Sequence, residues 1–125
     1  MKYLLIHCVD ESSEFGPEND CQTPGTPAAR ALGTWLSELT ARGVLLDGGR
    51  LRPAGDATTV QVRDGSVLVS DGPFAETKEQ VAGYDVIDCA GLDEAIEIAS
   101  RHPTANIGMV EVRPFWEGQS PERMS

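Results

Sequence analysis

Apolar positions cluster in short runs separated by turn residues, and two spacings recur along the chain. Residues 2–9 form an apolar run short enough for a strand buried on both faces. Between Pro27 and Arg42 the spacing becomes helical: Leu32, Trp35, Leu36 and Leu39 repeat on one face, Thr26 can cap the start, and Gly43 is a left-handed stop. Val44-Leu45-Leu46 opens a second strand that runs into Asp47-Gly48-Gly49-Arg50-Leu51. Residues 58–70 alternate around Asp64-Gly65, a two-residue hairpin turn that sets Val62 opposite Val67 and Val60 opposite Val69 on one apolar face. Val81 to Cys89 is a further strand. A second helix follows, with Leu92, Ala95, Ile96 and Ala99 sharing a face, and His102-Pro103 ends it. Met109 to Arg113 is the last strand.

The order is β-α-β, an inserted hairpin, then β-α-β. Two such units predict an α+β, ferredoxin-like fold, with a four-stranded antiparallel sheet and both helices on one face. Residues 1–116 are expected to form a single domain and 117–125 a polar tail. Side chains alternate along the first strand, with Leu4, Ile6 and Cys8 on one face and Tyr3, Leu5, His7 and Val9 on the other. In the last strand Val110 and Val112 oppose Met109, Glu111, Arg113 and Phe115. The expectation is one purely apolar face under the helices. The other face would be mixed, carrying His7, Glu111 and Arg113. Two helices cannot cover both, so the mixed face is expected to meet a second copy around a partly polar cavity.

Charge narrows the function classes. The chain carries 20 acidic residues against 10 Lys and Arg, a formal net charge of −10. Nucleic-acid binding draws its affinity from basic residues that neutralise phosphates, and no basic run is present. Anionic membranes are disfavoured for the same reason. The N-terminal apolar run is too short for a signal peptide, and acidic residues follow it at once, so a cytoplasmic location is expected. Three cysteines with no metal-type spacing read as structural thiols, and neither a metal nor a cofactor is expected. The segment from Asp10 to Thr26, with five acidic residues and no basic one, reads as a long loop.

The run Asp71-Gly72-Pro73-Phe74-Ala75-Glu76-Thr77-Lys78-Glu79 resembles the signature of the DGPF branch of YCII-related proteins. Met1-Lys2-Tyr3-Leu4-Leu5, Leu46-Asp47-Gly48-Gly49-Arg50-Leu51, Gly83-Tyr84, Ile87-Asp88 and Glu111-Val112-Arg113-Pro114 fit the same family. The resemblance implies a dimeric α+β barrel, in which two ferredoxin-like sheets pack face to face around a cavity. It also implies a family mixed in function, some members resembling dehydrochlorinases and others resembling domains associated with extracytoplasmic-function sigma factors. Enzyme-like members carry a histidine in the first helix; this chain has none between Pro27 and Arg42.

Among residues that can carry chemistry, His7 is the candidate general base, with Glu111 as the group that would orient it. Its other reading is a hydrogen-bonded interface histidine. Asp71 is either a turn former or, with Glu76, Lys78 and Glu79, part of a loop that brings acids and an ammonium together. Asp47 and Arg50 flank two glycines that allow a backbone kink or close approach of a ligand, or mark a simple bulge. Tyr84 offers a hydroxyl or packs as a strand aromatic. Arg113 holds a substrate carboxylate or pairs with Glu111 or Asp85. His102, beside a helix end, reads as a favourable dipole contact. The candidate catalytic set is thus His7, Asp71 and Lys78, and the candidate substrate-binding set is Asp47, Glu76, Glu79, Tyr84, Glu111 and Arg113. The expected function is small-molecule binding in a homodimer cavity, as a cofactor-free lyase or isomerase. The alternative is a non-catalytic sensing or interaction module whose partner is a sigma factor.

Overall fold

The fold is that of a computed structural model, which describes residues 1–12, 16–73 and 78–117. Strand β1 (Lys2–Val9) runs through the middle of a four-stranded sheet. It pairs antiparallel with β5 (Gln80–Asp88) on one side and β6 (Met109–Pro114) on the other, and β2 (Leu45–Arg50) completes the edge beyond β5. The order β2-β5-β1-β6 is the ferredoxin-like arrangement expected from the sequence.

Helix α1 (Pro27–Ala41) starts where the capping residue predicts: the Ala29 amide donates to Thr26 Oγ1 at 3.1 Å. It stops at Gly43, whose φ of +70° is left-handed. Helix α2 (Leu92–Ser100) and the short α3 (Thr104–Ile107) precede β6. Tyr3, Leu5 and Ile87 from the sheet meet Trp35, Leu39, Ala95, Ile98 and Ala99 from the helices in one core. The inward face of α2 differs from the expected one: Ala95, Ile98 and Ala99 are buried, while Leu92 and Ile96 are half exposed. The buried Trp35 indole needs an acceptor in the core, and its N–H donates to the Ile98 carbonyl at 2.8 Å.

The inserted hairpin, β3 (Thr58–Arg63) and β4 (Ser66–Asp71), has the expected register, with Val60 opposite Val69 and Val62 opposite Val67. Asp64 and Gly65 both have positive φ, 52° and 77°, as a right-twisted hairpin turn requires. The hairpin forms its own two-stranded sheet, and its four valines are 58–65% exposed.

The assignment of sheet faces is corrected. Register places Leu5 opposite Val112 and His7 opposite Val110, whereas Ile6 lies opposite Glu111 and Leu4 opposite Arg113. Directly paired residues share a face. The helix-covered face therefore carries Tyr3, Leu5, His7, Val110 and Val112, and the open face carries Leu4, Ile6, Cys8, Met109, Glu111 and Arg113. Matching the strands by polarity puts His7 with the charged residues of β6; the ladder puts it with the valines. His7 lies under the helices because it finds polar partners there.

Candidate functional site

His7 stands near the C-terminal end of β1, 4% exposed. Gly83 lies directly opposite on β5, and Asp85, opposite Leu5, is the diagonal neighbour on the same face. His7 Nε2 and Asp85 Oδ2 are 2.7 Å apart, both residues buried. An ionised carboxylate only accepts, so in the neutral ring the shared proton sits on Nε2 and the lone pair on Nδ1. Nδ1 is buried and has no hydrogen-bond partner among the described residues. Buried polar atoms are usually satisfied, and an orphan of this kind asks for an explanation.

The third member is His102, in the turn between α2 and α3. Its ring stacks on that of His7, with centroids 3.9 Å apart and planes 16° from parallel. Trp35 meets it edge-on at 4.9 Å. The Thr104 amide donates to His102 Nδ1 at 3.1 Å, which fixes the tautomer with its proton on Nε2. Burial, reinforced by the neighbouring His7, pushes its pKa down to about 3. His102 is therefore neutral at physiological pH.

A nitrogen of each ring and a carboxylate oxygen of Asp85 lie within 4.8 Å of one another. Two histidines and an aspartate are also metal-ligand types. One nitrogen of each ring, however, is already engaged, by Asp85 and by the Thr104 amide. The arrangement suits proton transfer.

The three residues line a cavity of about 740 Å³ between α1, the β2 edge and α3, walled by Leu32, Leu36, Leu45 and Ile107. Its volume is that of a small-molecule site. Of the sequence candidates, His7, Asp47 and Tyr84 line it. Asp47 accepts from the amide of Gly48 at 2.8 Å, a local turn bond. Asp71, at the exposed end of β4, does not reach the cavity, nor do Lys78 and Glu79. Glu76 lies outside the described residues. Glu111 does not orient His7, because it sits on the opposite face and pairs with Arg113 at 2.6 Å. That pairing is one of the two readings given for Arg113. Asp85 takes the orienting role, since it shares the face of His7.

Asp85 and His102 are not among the sequence candidates for the site. Asp85 carried a signal, an acid alternating with Gly83 and Ile87 in an apolar strand. His102 carried none that distinguishes it from an ordinary helix-end histidine.

Three likenesses bear on this architecture. A protein of Rhizobium meliloti strain 1021, described as uncharacterised, is 51% identical over 119 residues, covering 92% of each chain. The solved structure of 5-chloro-2-hydroxyhydroquinone dehydrochlorinase from Burkholderia phenoliruptrix AC1100, in complex with 2,5-dihydroxybenzoquinone, is similar with a TM-score of 0.51. That likeness covers 94% of this chain and 96% of the other at 16% identity, and it concerns the fold alone. The family model of the YCII-related domain matches residues 1–119, nearly the whole sequence. This chain belongs to the YCII-related domain family.

Proposed function

We propose that this protein is a small-molecule enzyme, a cofactor-free lyase or isomerase that works by proton transfer at His7, and that it belongs to the DGPF branch of its family. The observation that carries the reading is the buried Nδ1, without a partner among the described residues, of a histidine whose other nitrogen is held by Asp85 beside a cavity. Asp85 fixes the ring and stabilises the imidazolium that forms when Nδ1 takes a proton. The burial of that nitrogen limits competition from water. A dehydrochlorinase shares the fold, which supports elimination as the reaction class and leaves the substrate open.

The same reading keeps the homodimer. The open sheet face presents Leu4, Ile6 and Cys8 half-buried, with Met109 and Val81 exposed, a surface suited to a second copy. The catalytic cavity lies on the other side of the sheet, within one chain.

Native mass spectrometry of protein purified from its own host would capture the cavity ligand, whose turnover is then followed. His7→Gln should lower turnover by about 100-fold, the typical contribution of a general base. Unchanged turnover would remove His7 from the chemistry. Salt-sensitive capture of a sigma-factor partner, with turnover absent in every form, would favour the sensing module instead.

A further inference from the structure

We infer that the cavity takes an uncharged carbonyl compound whose oxygen is held by His102 Nε2–H while His7 Nδ1 removes a proton from the adjacent carbon. The inference rests on the reading of His7 as base and adds a second group and a substrate class to it.

The tautomer of His102 is set by the backbone: an N–H at Thr104 can only donate, so His102 Nδ1 must accept and Nε2 must carry the proton. Stacking on His7 and the edge of Trp35 hold the ring in place. His102 and His7 line the same cavity, and a nitrogen of each ring lies within 4.8 Å of the other's. A carbonyl oxygen and its neighbouring carbon fit such a pair of nitrogens. A neutral imidazole is a suitable donor to a developing enolate, because it stabilises the oxygen without protonating it outright.

The walls select against anions. Glu11, Asp20 and Asp47 line the opening together with Arg50 and Arg52. Arg52 is engaged by Asp56 at 3.0 Å, and Arg50 faces the charge of Asp20. Bonds from the Thr23 hydroxyl and the Gln22 amide hold the Asp20 carboxyl below its ordinary range, so it stays charged. Counting Asp85, negative charge exceeds positive, and a carboxylate ligand would be repelled.

The step balances without a co-reactant. The C–H bond breaks, its proton goes to His7 Nδ1, its electron pair forms the C=C bond, and the carbonyl π pair moves to the oxygen. Return of the proton to the same carbon regenerates the ketone; return elsewhere isomerises it.

para-Hydroxyacetophenone and para-hydroxybenzoate, the same ring with a neutral ketone or a carboxylate, are titrated into the protein at neutral pH and followed by NMR. The ketone should bind at least about tenfold more tightly, and its addition should move the His102 Nε2–H resonance. His102→Phe, which keeps a stacking ring, should weaken ketone binding by about tenfold, the contribution of one hydrogen bond, and His102→Gln should restore part of it. Equal binding of the carboxylate, or an unmoved His102 Nε2–H in the wild type, would overturn the inference; the latter needs no variant to fold. Deuterium exchange of the ketone methyl group in D₂O tests the base separately. Selective binding with no exchange in the wild type would retire His7 as base and leave the donor and the ligand class standing.

Discussion

Gly48 of β2 lies directly against the carboxylate of Asp85, and a Cβ built on it would overlap Asp85 Oδ1. The neighbouring Gly49 would meet only the Tyr84 ring, at an ordinary 3.5 Å. Asp85 cannot yield cheaply, since its other oxygen is bonded to the buried His7. Gly48→Ala should therefore cost about 3 kcal/mol through overpacking and a disturbed buried pair. Gly49→Ala should stay within about 0.5 kcal/mol. Urea unfolding of the two variants decides the matter, and equal costs would show that the Gly48 contact is not constraining.

Asp85 and His7 should be energetically coupled. Asp85→Ala leaves a buried imidazole N–H without its acceptor, a loss of about 1–3 kcal/mol. Adding His7→Phe removes the stranded polar group, so the double variant should be more stable than the summed single costs by about 1–3 kcal/mol. Additive unfolding energies would mean that the two side chains act independently.

Buried His102 makes the fold sensitive to acid. Its folded pKa, about 3, lies below the value near 6.5 expected unfolded, so the unfolded chain binds the extra proton first. Stability contributed by neutral His102 is thus complete above about pH 6.5 and declines as pH falls towards 3, by up to about 1.4 kcal/mol per unit. His7 and Asp85 face the same space, and Trp35 adds no charge. The slope of stability against pH in this window should flatten in His102→Phe; an unchanged slope would assign the effect to other groups.

Much of the fold is legible in the sequence because its signals are local. Thr26, Gly43 and Asp64-Gly65 act through backbone geometry within a few residues, and each marks an element boundary or turn where expected. The face of the sheet that carries His7 is not local. It depends on the register of β1 against β6, residues about 100 positions apart, and polarity alone pairs His7 with Glu111 when the ladder pairs it with Val110. Asp85 and His102 become site residues only once β5 and the α2–α3 turn converge on His7. The run from Asp71 to Glu79 stands out in the sequence, yet Asp71 and Lys78 are exposed and do not line the cavity.

Self-association should depend on the open sheet face. The wild type should sediment at about twice its 13.4 kDa chain mass. Ile6→Glu, at the middle of that face and away from the cavity, should give a folded monomer. A dimer that persists in Ile6→Glu would place the interface elsewhere, with the exposed valines of the hairpin as the next surface to alter.

The most direct test of His7 as base is a long-range ¹H–¹⁵N spectrum of the histidine rings at neutral pH, where two histidines give an uncrowded map. The geometry predicts a His7 protonated at Nε2 and bare at Nδ1, with the bare nitrogen shifting when the cavity is filled. A His7 carrying its proton on Nδ1 would contradict the account, because Nδ1 would then have no lone pair to take a proton.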